Sequence, residues 1–103
     1  MKLVDLEEQE LIPGTRVRFV HSDRMTIAHW HFEPDVDLPE HSHPHEQICN
    51  VIEGEFELTV DGQPGILTSG HYQVIPPDAV HSGHSITTCK IIDVFSPARD
   101  DYR

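Results

Sequence analysis

The 103-residue chain predicts a single all-β domain folded as a sandwich or barrel. Turn-forming Gly, Pro, Asp and Ser recur at intervals of roughly 8–12 residues, the spacing of short strands in sandwiches and barrels. Phe56, Leu58 and Val60 alternate with Glu57 and Thr59, which is the period-two signature of a half-buried strand. Six Gly and eight Pro are scattered through the chain as punctuation, which excludes long helices. A chain of this length holds one core. One domain over 1–103 is expected, with its core over about 15–100 and an N-terminal arm over 1–14.

In chain order, Asp5 to Leu11 predicts at most a short helical turn. Thr15–His21, with Val17, Phe19 and Val20, and Met25–Phe32, with Ile27, Trp30 and Phe32, read as the first strands. Glu33 to Pro39 carries two prolines and three acids and reads as a bend, since proline lacks the donor that regular structure needs. Gln47–Ile52 and Phe56–Val60 follow as strands. Asp61-Gly62 then marks a tight hairpin, because both residues tolerate positive φ. Tyr72–Ile75 lies between Ser69-Gly70 and Pro76-Pro77-Asp78, and Ser85 to Phe95 reads as one long final strand. Along it Cys89, Ile91, Asp93 and Phe95 share one face, with Lys90, Ile92 and Val94 on the other.

Charge narrows the function classes. Seven Lys plus Arg stand against eighteen Asp plus Glu, a formal charge of −11, so neither nucleic acid nor an anionic membrane is an expected partner. No apolar run approaches the ~20 residues of a membrane span. The acidic start lacks the basic end and apolar stretch of a secretion signal, so a cytoplasmic location is expected. Cys49 and Cys89 are too few for a disulfide framework and read as reduced, buried strand residues. Apolar residues on both faces of the final strand imply that its outer side is covered.

Nine histidines are the unusual count. His41 and His43 are two apart, the spacing that puts strand side chains on one face. Gln47 follows four residues later, and His81 comes from a distant segment. Three imidazoles and one oxygen donor make a metal site that keeps positions open for water or substrate. His29 and His31 share a strand face, either lining a pocket or lying on the surface. His45 is a further candidate near the site, whereas His21, His71 and His84 read as loop residues. An aspartate at 93, inside an apolar strand, is costly to bury without a partner or a task.

These residues resemble the two motifs of the cupin family, G-x5-H-x-H-x3-4-E-x6-G and G-x5-P-x-G-x2-H-x3-N. They stand here as DVDLPEHSHPHEQICNVIEG at 35–54 and GHYQVIPPDAVHSGHS at 70–85. Asp35 and Asp78 replace glycines, which Asp tolerates at left-handed positions; Ser85 replaces an asparagine. Gln47 replaces the usual glutamate ligand. A neutral ligand set leaves the charge of a dication uncompensated, which favours Lewis-acid over redox chemistry. The resemblance implies a jelly-roll (double-stranded β-helix) barrel and a homodimer.

The segments HSHPHEQ at 41–47, IEGEFELTVDG at 52–62 and above all DVFSPARDDY at 93–102 narrow the likeness to KdgF-like pectin-degradation cupins. That branch opens and ketonises unsaturated uronate sugars. The resemblance implies one divalent transition metal (zinc, nickel, iron or manganese) held by His41, His43, Gln47 and His81. It implies Asp93 as the catalytic acid/base, Phe95 and Arg99 as substrate-binding residues, and an anionic sugar as the small-molecule partner. Polyketide-cyclase cupins share the HxHPHEQ segment. A cyclase-like enzyme, an iron-dependent dioxygenase and a non-catalytic ligand-binding cupin are therefore the alternatives. With seven aromatic residues in the chain, a large aromatic-lined mouth is not expected.

Overall fold

A computed structural model describes residues 1–103. Nine strands build it: β1 (Thr15–His21), β2 (Thr26–Phe32), β3 (Asp37–His41), β4 (Glu46–Glu53), β5 (Phe56–Val60), β6 (Gln63–Leu67), β7 (Tyr72–Ile75), β8 (His81–Ser85) and β9 (Cys89–Ser96). They form two antiparallel sheets, of order β1-β2-β9-β4-β7 and β3-β8-β5-β6. This is the expected all-β fold, a jelly-roll barrel in which the two sheets face each other across one core.

The alternation read from the sequence decides which side chains enter that core. In β2 Ala28, Trp30 and Phe32 point inward, and in β9 Cys89, Ile91, Asp93 and Phe95 do. Val17 and Phe19 from β1, Cys49 and Val51 from β4, Phe56 and Leu58 from β5 and Ile75 from β7 join them, with Val36 and Ala79 from the connecting loops. Both cysteines are free and buried.

Four local details differ from the sequence expectation. The helical turn lies at Leu3–Asp5 rather than over 5–11. Gln9 is instead held extended, its N–H and C=O each bonded at 2.9 Å to Val17. The Pro-rich bend is shorter, because Asp37–His41 pairs with β8. Pro39 is tolerated there since β3 is a sheet edge, and its register shifts between Leu38 and His41. The stretch from Ser85 to Phe95 is not one strand. The chain turns a corner at 86–88 and changes sheet, with Ile86 N–H donating to Glu55 O at 2.9 Å and Glu55 N–H to Thr87 Oγ1 at 3.0 Å. Gly54 lies against this corner at φ 92°; a Cβ there would collide with the backbone oxygen of Thr88. Finally, Gln63–Leu67 forms the return arm of the Asp61-Gly62 hairpin.

The three departures from the cupin glycine and asparagine pattern have clear local reasons. Asp35 and Asp78 adopt φ of 60° and 65°, the left-handed values anticipated for them. Ser85 is buried; its hydroxyl donates to Glu33 O at 2.6 Å and accepts from Val36 N–H at 2.9 Å, pinning the bend ahead of β3.

Candidate metal centre and cavity

His41 and His81 are direct cross-strand partners at one end of the β3–β8 pair, which brings their rings to 4.1 Å between centroids. His43 lies just beyond β3, in the turn before β4, so strand parity is not what aligns it with His41. Asp78 N–H bonds its carbonyl at 2.8 Å, and its ring stands 4.9 Å from that of His81. One ligand atom from each of the three histidines lies within 4.8 Å of the others.

Each imidazole is oriented in the same way. The Nδ1–H groups of His41, His43 and His81 donate to the carbonyls of Pro39, His45 and Ala79 at 2.8, 3.0 and 2.9 Å. A carbonyl only accepts, so Nδ1 carries the proton and Nε2 is the free lone pair in all three rings. This is the usual outer support of a metal-binding histidine. His81 Nε2 is buried with no partner. Burial, then the nearby charges of Arg99 and His81, push His43 down to about 4, so it is neutral at pH 7. His81 is also lowered, chiefly by burial. The lone pair of His43 Nε2 then faces Gln47 Oε1 at 3.1 Å. Two acceptors turned toward each other, beside an orphaned buried nitrogen, are a donor set suited to a cation.

Behind this cluster lies a cavity of about 350 Å³ lined by both sheets, with His41, His43, Gln47, His81, Asp93, Phe95 and Arg99 all on its wall. Every site residue anticipated from the sequence therefore borders one space. Asp93 sits on β9 between Ala28 of β2 and Cys49 of β4. Burial raises its pKa to about 6, and the side chains of Gln47 and Cys49, the Arg99 charge and Trp30 hold it from rising further. Asp93 Oδ1 and Trp30 Nε1 are both buried and meet no partner in good hydrogen-bond geometry, although the indole lies near enough to steady the carboxylate.

The remaining histidines divide clearly. His29 and His31 point away from the cavity, because Ala28, Trp30 and Phe32 take the inward positions of β2. His45 contributes its carbonyl to His43 and lies outside the three-ring cluster. His84, on β8, is held at the surface by Asp37 at 2.7 Å. The aromatic expectation also changes. Five of the chain's seven aromatic residues, Trp30, Phe32, Phe56, Phe95 and Tyr102, line the cavity. Cys49, Trp30, Tyr102 and Asp101 were not singled out beforehand. Strand parity with Gln47 on β4 is the signal available for Cys49 and parity with Phe32 on β2 for Trp30, and nothing local marks the other two.

A barrel of this topology with three converging histidines defines a cupin. Residues 28–95 match the cupin domain family, and the chain belongs to it. Among curated proteins it is similar to the pectin degradation protein KdgF of Dickeya dadantii, at 30% identity over 97 residues, covering 91% of this chain and 88% of that one. Among solved structures it resembles KdgF from Halomonas sp., with a TM-score of 0.91 and 27% identity over 97% of this chain and 94% of that one. An RmlC-like cupin from Shewanella frigidimarina superposes with a TM-score of 0.94 and 29% identity, covering 100% and 94%. The three-histidine cluster in this fold has the donor set of a divalent metal site.

Proposed function

We propose that this cupin is a metal-dependent isomerase that opens and ketonises unsaturated uronate sugars in pectin breakdown. The observation that carries the reading is Asp93, a buried carboxyl raised to about 6, on the same cavity wall as the histidine cluster and Arg99. A general acid–base works best when its pKa lies near the operating pH. The KdgF likeness supports the substrate class.

His41, His43, His81 and Gln47 are the residues to hold the divalent ion, which when bound supplies Lewis-acid polarisation of substrate oxygens. Asp93 removes the proton of the C1 hydroxyl as the C1–ring oxygen bond breaks, giving an aldehyde at C1 and an enolate at C5. The same carboxyl then delivers that proton to C4, and the C5 oxygen becomes a ketone. One proton moves from oxygen to carbon and nothing is oxidised. Arg99 offers a planar fork to the substrate carboxylate. It also answers the charge problem: a chain at −11 repels anions at long range, but screening over ~8 Å leaves the local cation to decide binding. Phe95 covers a sugar face and excludes water.

The test is to follow the ultraviolet absorbance of the conjugated C4–C5 double bond in lyase-generated uronates, with and without chelator. Chelator-sensitive loss of absorbance without oxygen uptake is expected. A metal-loaded protein that leaves the absorbance unchanged would overturn the reading. The aromatic wall favours a second reading, a cyclase-type cupin acting on a bulkier, apolar substrate. Binding of planar aromatic polyketides in preference to uronates would select it.

We also infer a homodimer that covers the outer face of the five-stranded sheet. Val20, Ile27, Val94, Ile48 and Val74 stand in register across all five strands, an unbroken apolar row facing outward. An unpartnered row of this kind marks an interaction surface. Ile48→Lys is expected to shift a dimer to monomer in sedimentation velocity; a wild-type monomer at all concentrations would refute it.

A further inference from the structure

Beyond β9 the chain makes a short 3-10 turn at Asp100–Tyr102, with Tyr102 N–H returning to Arg99 O at 2.9 Å. This fold-back places the side chain of Asp101 against that of Arg99. Nε of Arg99 donates to Asp101 Oδ1 at 3.0 Å and Nη2 to Oδ2 at 2.8 Å, a two-point grip on the side edge of the guanidinium. The guanidinium carbon lies 4.7 Å over the Phe95 ring and 4.2 Å over the Tyr102 ring. Tyr102 in turn stacks on Phe19 at 4.7 Å. Arg99 is anchored at its backbone too, its N–H donating to the buried Thr26 hydroxyl at 2.8 Å. Its side chain is buried to 7% exposure, whereas that of Asp101 is 53% exposed.

Arg99 borders both the central cavity and a shallow outer groove, while Asp101 borders only the groove. The edge held by Asp101 is therefore the outer one. Nη1 makes no hydrogen bond, so the Nη1–Nη2 end of the fork is the edge left for a partner. We propose that Asp101 is a positioning residue for substrate selection: it fixes the Arg99 guanidinium so that only its end-on edge meets a ligand, and that edge selects a carboxylate. This deepens the uronate reading and rests on it. A freely rotating arginine would spend conformational entropy on binding, whereas one clamped along its side edge and covered by two rings is pre-organised. The Asp101 contact also keeps the buried cation paired before substrate arrives, where an unpaired charge would be costly.

The test uses the full-length, metal-loaded protein and its Asp101→Asn and Asp101→Glu variants. Three readouts are taken: the Arg99 Nε–H NMR signal and its hydrogen exchange, the affinity for galacturonate against neutral galactose, and steady-state constants on lyase-generated unsaturated uronates. Asp101→Asn is expected to accelerate Arg99 exchange, weaken galacturonate about tenfold without affecting galactose, and raise KM by a similar factor with kcat within about twofold. Asp101→Glu should restore most of the affinity. Unchanged galacturonate affinity in Asp101→Asn, or tighter binding, would overturn the proposal, the latter by making Asp101 an internal competitor for the fork. So would galacturonate that leaves the wild-type Arg99 signal unmoved. If galacturonate binds through Arg99 and needs Asp101, but no uronate is turned over, the clamp stands and the isomerase reading falls.

Discussion

The two sheets contribute opposite kinds of chemistry to the cavity they share. From the four-stranded sheet come His41, on the exposed edge strand β3, and His81, buried on β8, with His43 in the adjoining turn. From the five-stranded sheet come Asp93, Phe95, Cys49 and Trp30, on strands whose inward positions are fully packed. Each ring of the first wall is aimed by a single carbonyl bond. The second is dry enough to raise a carboxyl to about 6. Burial acts on both walls with opposite sign, lowering the imidazoles into the neutral form an ion needs and lifting the carboxyl toward neutral pH. Apart from Gln47, the two tasks fall on different sheets.

The largest effect should come from the histidine wall. His81→Ala removes the most buried of the three rings and the orphaned Nε2. Metal affinity is expected to fall at least about 100-fold, beyond the loss from disturbing an outer partner. Elemental analysis checks this, and activity should follow metal content in both the variant and chelated wild type. If metal is retained in full, the histidine wall is not the ion's seat.

Next is the dry wall. Asp93→Asn preserves shape and removes the titrating group, so turnover should fall about 10²–10⁴-fold while bound metal is unchanged. Retained metal together with lost rate is the outcome that separates the two walls; losing both would merge them.

The same substitution makes a thermodynamic prediction in metal-free protein. The folded pKa of Asp93 is raised from 3.8 to about 6, so folding favours the protonated form. Its contribution to stability is fully present below the unfolded pKa and is lost as pH rises through the folded one. The shift corresponds to roughly 3 kcal/mol of differential stability. Asn is neutral throughout, so Asp93→Asn should gain stability over wild type between about pH 4 and 6 and hold that gain above. Below that window the two should coincide. Urea unfolding at pH 4 and pH 7.5 measures it, and a difference of the same size at both would deny that Asp93 is desolvated.

The contrast between the walls also explains what could be read in advance. The alternation in β5 and β9 and the Asp61-Gly62 turn are local signals, and the structure follows them. β3 escaped because Pro39 argues against a strand unless one knows it is an edge, which is a property of the whole sheet. The corner at 86–88 escaped because Ile86, Thr87 and Thr88 are all β-branched and read as strand, and the bonds that turn it come from Glu55, far back in the chain. The histidines were legible from spacing, yet His41 and His43 converge because one ends a strand and the other is fixed in the following turn. Asp101 lies only two residues from Arg99, but acidic side chains are abundant in this chain. Only the fold-back of the 3-10 turn distinguishes this one.

Gln47 belongs to both walls, and the smallest effect is expected there. It sits on β4, in the five-stranded sheet, yet turns Oε1 toward His43 at 3.1 Å, while its amide also faces Asp93 and draws that carboxyl down. A glutamate would strengthen the hold on a dication but place a second negative charge beside Asp93. Like charges in one site push a carboxyl's pKa upward. Gln47→Glu should therefore bind metal more tightly, while the acidic limb of the pH–rate profile moves up by about one unit. A profile that stays in place would mean that Gln47 and Asp93 do not sense each other, and that a glutamine at this position matters to the ion alone.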